Sequence, residues 1–450
     1  MFDQVNGDGK DPIMANITRV VAGVALASSM LALGACSDKT ETNPSESGGA
    51  APVSLTWWHN GVNDPALSYW QDVADEFTAA HPNVTITIEA IQNEDLQRTR
   101  IPVALQSGDA PDIFQQWGGG ELAMQVDSGY LMDLTDVLAS DIDRLGGAVA
   151  PWSYNGKVYG IPYTFGVEGI WYRPSLFEAA GITSEPTTMT ELNAAVSALK
   201  AAGIAPISVG AGDKWPAAHW WYNFALRSCS KEVMQASGTT FDFSDPCWVE
   251  AGVQLEDFIA TQPFNEGYLA TSAQQGATSS SGLLATGNAA MELMGNWEPA
   301  VLRGILGPDT PEAAALNADL AWFPMPATTG GKGDPTAALG GGDGFSCYVD
   351  APAECAELLS YISSDEVQKR YAEVVGGLPV APAAASSVTD PNLQELAAVA
   401  GNAGYVQLWL DTTYGQNVGG AMNDAITAIY AGTGTAQGVV DAMTAAAANQ

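Results

Sequence analysis

What most constrains this chain is an alternation. From Val53 onward, short β-rich runs trade places with segments whose apolar residues recur at helical spacing. Residues 53–58 are apolar and β-rich, and across residues 65–80 Leu67, Trp70, Val73, Ala74 and Phe77 fall on one helical face. In residues 84–90, Val84, Ile86 and Ile88 alternate with Thr85, Thr87 and Glu89, the period of a strand buried on one side. Residues 112–116 predict another short strand. Thr188 and Glu191 have capping-box spacing ahead of Leu192, Ala195, Val196 and Leu199; Gly203 closes that helix, and residues 204–209 return to strand. Strands alternating with helices predict an α/β fold on largely parallel sheets. A length of 450 residues exceeds what one core usually holds, so two lobes are expected.

Charge narrows the partners. Lys and Arg number 16 against 51 Asp and Glu, a formal net charge of −35 that repels phosphate backbones and anionic headgroups and so excludes nucleic-acid binding. The same balance disfavours an anionic ligand, because few cations are present to receive one.

At the N-terminus, Arg19 precedes an apolar run over residues 20–33 that is too short to span a bilayer, and the run ends in Leu33-Gly34-Ala35-Cys36. This pattern resembles a bacterial lipobox. The resemblance implies a secretory signal cleaved before Cys36, a diacylglycerol on its sulfur, and a protein held at the extracellular face of the membrane by lipid alone. Met14 offers a conventional start, so residues 1–13 read as an over-extended frame, and the calcium-loop look of Asn6–Lys10 lacks the closing Glu. Residues 37–52, rich in Ser, Thr, Gly, Pro and Glu, read as a flexible tether. Four further cysteines form two sequence-local pairs, Cys229 with Cys247 and Cys347 with Cys355. Each is expected to staple a loop, and neither has zinc or redox spacing.

Several motifs resemble the family-1 extracellular solute-binding proteins. They are Gly108-Asp109-Ala110-Pro111-Asp112-Ile113; the run from Asn155 to Tyr163 continuing into Ile170-Trp171-Tyr172-Arg173-Pro174; Gly287-Asn288-Ala289-Ala290-Met291 followed by Gly295-Asn296-Trp297; and Gly377-Leu378-Pro379-Val380. They occur in family order and cover the chain from Val53 to its end. The resemblance implies a two-lobed periplasmic-binding-protein-like fold with three hinge crossovers that closes around its ligand. Carried onto this chain, lobe one takes residues 53–164 and 340–377, and lobe two takes residues 165–339 and 378–450.

In open sheets ligands bind beyond the carboxyl ends of strands. There the chain places Trp57-Trp58-His59-Asn60 and Gln115-Gln116-Trp117-Gly118-Gly119-Gly120. Sugars present apolar C–H faces rimmed by hydroxyls, so flat aromatics beside amides and carboxylates suit them, and the glycines are expected to let backbone approach the ligand. Trp57 reads as core. Trp58, His59, Asn60, Gln116, Trp117 and Gly118 read as ligand contacts. Trp215, after a lobe-two strand, is a further platform, whereas Trp220 and Trp221 read as helix packing. Asp343, within the run Gly340–Gly344, and Asp411 with Tyr414 are further candidates. By resemblance, Glu168 stands where a maltodextrin-binding relative carries a sugar-contacting Glu, and Trp297 stands where the family stacks on a sugar ring.

Catalysis finds little support. His59, His81 and His219 lack metal-ligand spacing, Gly344-Phe345-Ser346-Cys347-Tyr348 lacks the second glycine of a nucleophile elbow, and the glycines around Gly341 lack the Lys of a phosphate loop. The expectation is therefore a monomeric, non-enzymatic receptor without cofactor or metal, capturing an oligosaccharide for the permease subunits of an ABC importer. Gln116-Trp117-Gly118-Gly119-Gly120 resembles xylo-oligosaccharide-binding proteins, which leans the ligand that way. Two alternatives stand beside it: a secreted glycoside hydrolase, and the same fold carrying a polyamine or peptide.

Overall fold

The structure, a computed structural model, describes residues 51–449. The expected signal with Met14 and Cys36, all but the last two residues of the expected tether, and Gln450 lie outside the described residues. Strands, numbered in chain order, are β1 (Val53–His59), β2 (Val84–Ala90), β3 (Ile113–Gln116), β4 (Ser153–Tyr154), β5 (Lys157–Val158) and β6 (Ile161–Val167). They continue as β7 (Gly169–Tyr172), β8 (Ala205–Ser208), β9 (Ala289–Met294), β10 (Ala321–Pro324), β11 (Ala338–Cys347) and β12 (Val406–Leu408).

Two main sheets organise the molecule. The first runs β12-β11-β3-β1-β2 with β6 also paired to β11; the second runs β10-β7-β9-β8. Local expectations translate closely. The helix Ala66–Ala80 buries Trp70, Val73, Ala74 and Phe77, and β2 alternates exposed Thr85, Thr87 and Glu89 with more buried neighbours. The helix Met189–Ala201 opens on a complete capping box: the Glu191 amide donates to Thr188 and the Glu191 carboxylate accepts from the Thr188 amide, an arrangement worth roughly 1 kcal/mol. Cys229 joins Cys247, and Cys347 joins Cys355.

The largely parallel sheets do not materialise; both sheets are mixed. β1 is parallel to β2 and β3, and β12 to β11, but β11 is antiparallel to β3 and β6. In the second sheet β8 and β9 are parallel, while β7 is antiparallel to both β9 and β10. Only Glu168 separates β6 from β7, so the chain passes directly from the first sheet into the second. One core underlies the first sheet, around Leu55, Trp57, Trp70, Phe77, Phe345 and Leu358. Another large cluster contains Trp220, Trp221, Trp248 and Phe258, confirming that Trp220 and Trp221 pack a helix.

Candidate functional site

The pairing pattern brings strand ends together. Gly340 pairs with both Val167 and Leu408, and Gly344 pairs with both Pro162 and Gln116. A strand has two edges, so β6 lies along one edge of β11 while β3 and β12 share the other. β3 runs against β11 and β12 runs with it, so their carboxyl ends converge opposite residues 341–343. They deliver Trp117 from one side and Trp409 from the other, with Asp343 between. In the second sheet the parallel ends of β8 and β9 lead on one side to Trp215 and Trp297.

These groups line a cleft of about 170 Å³, over ten times the roughly 10–15 Å³ that admits one water. Of the residues singled out from the sequence, Asn60, Trp117, Trp215, Trp297, Asp343 and Asp411 line it; Trp70, Asn93, Gln97, Tyr163, His219, Gln274 and Trp409, which sequence reasoning missed, line it too.

One wall is polar. The Asn60 side-chain amide donates to Asn93 Oδ1 (2.9 Å), and Gln115 Nε2 donates to Asp343 Oδ1 (2.8 Å). Burial pushes the Asp343 carboxyl up to about 6, against the opposing pull of hydrogen bonds from Gln115, Trp117 and Asn60. Asp411 is already engaged: it accepts from Arg98 Nη2 (2.5 Å), Asn423 Nδ2 (3.1 Å) and the Thr412 amide (2.9 Å).

The other part of the lining is aromatic. Trp215 and His219 lie one turn apart on the helix Trp215–Ser228, with ring centroids 5.0 Å apart. Trp297 meets Trp215 edge-on (6.2 Å, 67°) and Trp409 likewise (5.6 Å, 65°), while Trp409 lies parallel to His219 (6.1 Å, 4°). The indole N–H groups of Trp215 and Trp297 have no protein partner. Gly341 admits the Trp409 ring, because a Cβ there would collide with it.

Six of the sequence-selected residues lie off the cleft surface. Glu168 stands behind the aromatic wall, where its Oε1 accepts from Trp409 Nε1 (2.8 Å). His219 Nδ1 lies 2.5 Å from the same oxygen, out of line for a hydrogen bond. Trp58 lies under the Arg100 guanidinium on the other face of β1 from Trp57. His59 is fully buried; its Nδ1 accepts from the Gly61 amide, and burial lowers its pKa to about 3, so it is neutral. The Gln116 side chain is used up by Gln125 and the Gly118 amide. Gly118, at φ 78°, makes room for protein rather than ligand: a Cβ there would meet the Pro151 carbonyl at 2.6 Å. Gly119 and Gly120 admit Leu408 and the Thr412–Thr413 backbone in the same way. Tyr414 is buried against Ser237, 2.8 Å away.

Among the described residues no Lys or Arg lines the cleft, so an anionic ligand would enter without a counter-charge. Flat indoles beside amides and the carboxylates of Asp64, Asp343 and Asp411, the last already paired with Arg98, suit a molecule with apolar ring faces and a hydroxyl rim. Such a cleft, at converging strand ends of two sheets, defines a solute receptor.

The family model described as "Bacterial extracellular solute-binding protein" matches residues 61–369, and the chain belongs to that family. It is similar to an uncharacterised ABC transporter extracellular-binding protein of Pyrococcus horikoshii, 23% identical over 363 residues, 74% of this chain and 73% of that protein. Among solved structures, one from work on xylan utilization by Caldanaerobius polysaccharolyticus superposes with TM-score 0.78 at 24% identity, covering 87% of this chain and 99% of that one. A chitin oligosaccharide binding protein superposes with TM-score 0.78 at 23% identity, covering 88% and 98%. The fold is thus the two-lobed one of these solute-binding proteins.

Proposed function

We propose that this chain captures a neutral oligosaccharide between its lobes and hands it to the permease of an ABC importer, with xylo-oligosaccharides as the leading ligand class. The observation that carries the reading is the joint lining of one cleft by Trp117, Trp215, Trp297 and Trp409 and by Asn60, Asn93 and Asp343, with no Lys or Arg among the described residues that line it. Indole faces cover apolar sugar faces, while amides and the carboxylate take the hydroxyls. The solved neighbours concerned with xylan and with chitin oligosaccharide support the sugar class. Lobe one is assigned residues 53–164 and 340–377, lobe two residues 165–339 and 378–450, and Cys36 carries the lipid that keeps the monomer at the outer membrane face.

Calorimetry against xylotriose, chitotriose, maltotriose and lactose, with spermidine and a tripeptide as controls, tests this reading. Stoichiometric binding of a xylo-oligosaccharide without product is expected. Binding only of spermidine or peptide overturns the sugar class, and turnover overturns the receptor. Replacing Cys36 by Ala is expected to release the protein from membranes or leave its precursor uncleaved; normal processing and anchoring of that variant would remove the lipid from the reading.

A further inference from the structure

Behind Trp297 lies a group of buried oxygens that no cation among the described residues reaches. Glu292, in the middle of β9, is 1% exposed, and Glu298, the first residue of the helix Glu298–Leu306, is fully buried. Their carboxyls lie within hydrogen-bonding reach of each other. None of their four oxygens has a well-aligned donor, and the buried Ser281 hydroxyl beside them also lacks a partner. Ser280, the other near hydroxyl, donates to the Ala273 carbonyl at 3.0 Å.

The charged groups on the packed elements are committed elsewhere. Arg173, following β7, bonds Asp319 and the carbonyls of Leu284 and Ala285, and Arg303, on the helix of Glu298, bonds the Val375 carbonyl. His219, on the helix behind β9, faces Glu168, and Arg227 on the same helix faces Tyr405 and Asp334. Glu185 bonds Tyr172 on β7, and Glu312 on the adjoining helix Pro311–Ala318 is exposed. Two bare carboxylates in contact, away from water and without a counter-ion, would cost many kcal/mol. A single proton between them removes one charge and supplies the missing donor. The remaining charge sits at the start of the helix Glu298–Leu306, at the positive end of its dipole.

We infer that Glu292 and Glu298 share one proton and, through it, hold the Gly295–Trp297 turn that carries the Trp297 platform, making ligand capture fall off on the alkaline side. The turn is tied in from both ends: the Gly295 carbonyl accepts from Trp171 Nε1 at 3.0 Å, and Trp171 is the register partner of Glu292. The Trp297 ring folds back over Gly295, where a Cβ would collide with it. Loss of the shared proton sets two anions against each other directly beneath this turn. Burial and the facing carboxyl both push Glu292 upward, and burial pushes Glu298 upward, so the proton is held into the range where a receptor works. The effect on binding rests on the sugar reading above; the effect on stability does not.

Melting of the ligand-free protein and binding of xylotriose, or of whichever panel sugar the parent binds most tightly, are followed from about pH 6 to about pH 9. Both carboxyls hold their proton more tightly when folded, so the stability they contribute is fully present below the unfolded Glu value and is lost as pH rises through the folded one. The parent is expected to melt lower at the alkaline end, with Kd rising by up to about tenfold per pH unit once the proton leaves. Glu298→Gln, whose amide is a fixed donor to Glu292, is expected to flatten both profiles and to melt above the parent at about pH 9; Glu292→Gln should do the same. The inference is overturned if both variants melt below the parent at every pH, if they keep the parent's alkaline losses, or if calcium restores the parent's alkaline melting temperature and EDTA abolishes the effect, since a metal would then occupy the pair. If no sugar binds, the sugar reading fails and the melting curves alone decide the proton.

Discussion

The two walls of the cleft are built differently. The polar wall takes Asn60 and Trp117 from strand ends and Asp343 from within β11, so backbone pairing positions its groups directly. The aromatic wall takes Trp215 and His219 from a helix, Trp297 from a turn and only Trp409 from a strand end, that of β12; these hold one another by ring contacts and by the buried Glu168 carboxylate. A strand-mounted group stays in place when its neighbour is removed. A wall made of mutually supporting rings loses its shape when one member is lost, so the aromatic wall should be the more fragile of the two.

The most severe test is Trp409→Ala. This indole is 6% exposed, touches Trp297 and His219, and gives Glu168 its one well-aligned side-chain donor among the described residues. Its removal is expected to cost about 3–5 kcal/mol of stability in denaturant unfolding and to weaken ligand binding as well. Normal binding by a folded Trp409→Ala protein would show that the aromatic wall does not depend on its members in this way.

Each wall also has a disulfide behind it. Cys229–Cys247 ties the end of the Trp215–Ser228 helix to the helix Cys247–Ala260, with a sequence separation of 18; Cys347–Cys355 ties the end of β11, with a separation of 8. Removing either pair as a double Ala variant should cost about 2–3 kcal/mol, slightly more for the longer loop. Only the first should also weaken binding if the aromatic wall depends on its helix. Peptide mapping without reduction checks the pairing itself.

Single platforms give the next effect. Trp297→Ala should weaken ligand binding by about 1–3 kcal/mol, roughly five- to more than a hundredfold, as measured by calorimetry. Trp117→Ala should do so too. Because Trp117 is only 4% exposed and packs into the core, it should lower the melting temperature of the empty protein as well, and the contrast with the less buried Trp297 is part of the test.

How much of this was legible follows from which links are local. The Thr188–Glu191 cap, the alternation along β2 and the core role of Trp57 depend on residues within a few positions of each other, and the sequence shows them. The strand-end rule found Trp117, Trp215 and Trp297, but missed Trp409 because β12 is three residues long and too brief to show a period. His219 was discernible as the i+4 partner of Trp215 once the helix was placed. Gly118–Gly120 read as room for ligand, but they are room for Pro151 and the start of the last long helix, a contact between segments far apart in the chain. The antiparallel course of β11 was hidden for the same reason: its partners lie more than 170 residues upstream, and register across that distance leaves no local pattern.

The smallest effect, and the finest probe of the polar wall, is the charge on Asp343. Its carboxyl accepts from Gln115 and faces the cleft, and burial raises it to about 6. The folded protein therefore binds this proton more tightly than the unfolded chain, so the stability it contributes is present below the ordinary Asp value near 3.9 and is lost as pH rises through about 6. Ligand binding should move the opposite way, since an ionised carboxylate accepts hydroxyl hydrogen bonds more strongly than a protonated one. At about pH 5 only about a tenth of the carboxyl is ionised, so Kd should be about tenfold weaker than at about pH 7. Asp343→Asn should remove this acid limb while leaving any alkaline limb in place. Calorimetry across that range decides the matter: an acid limb that persists in Asp343→Asn would move the responsible group off the polar wall, and a parent whose affinity does not change between these two values would mean that the ligand's hydroxyls lie elsewhere than on Asp343.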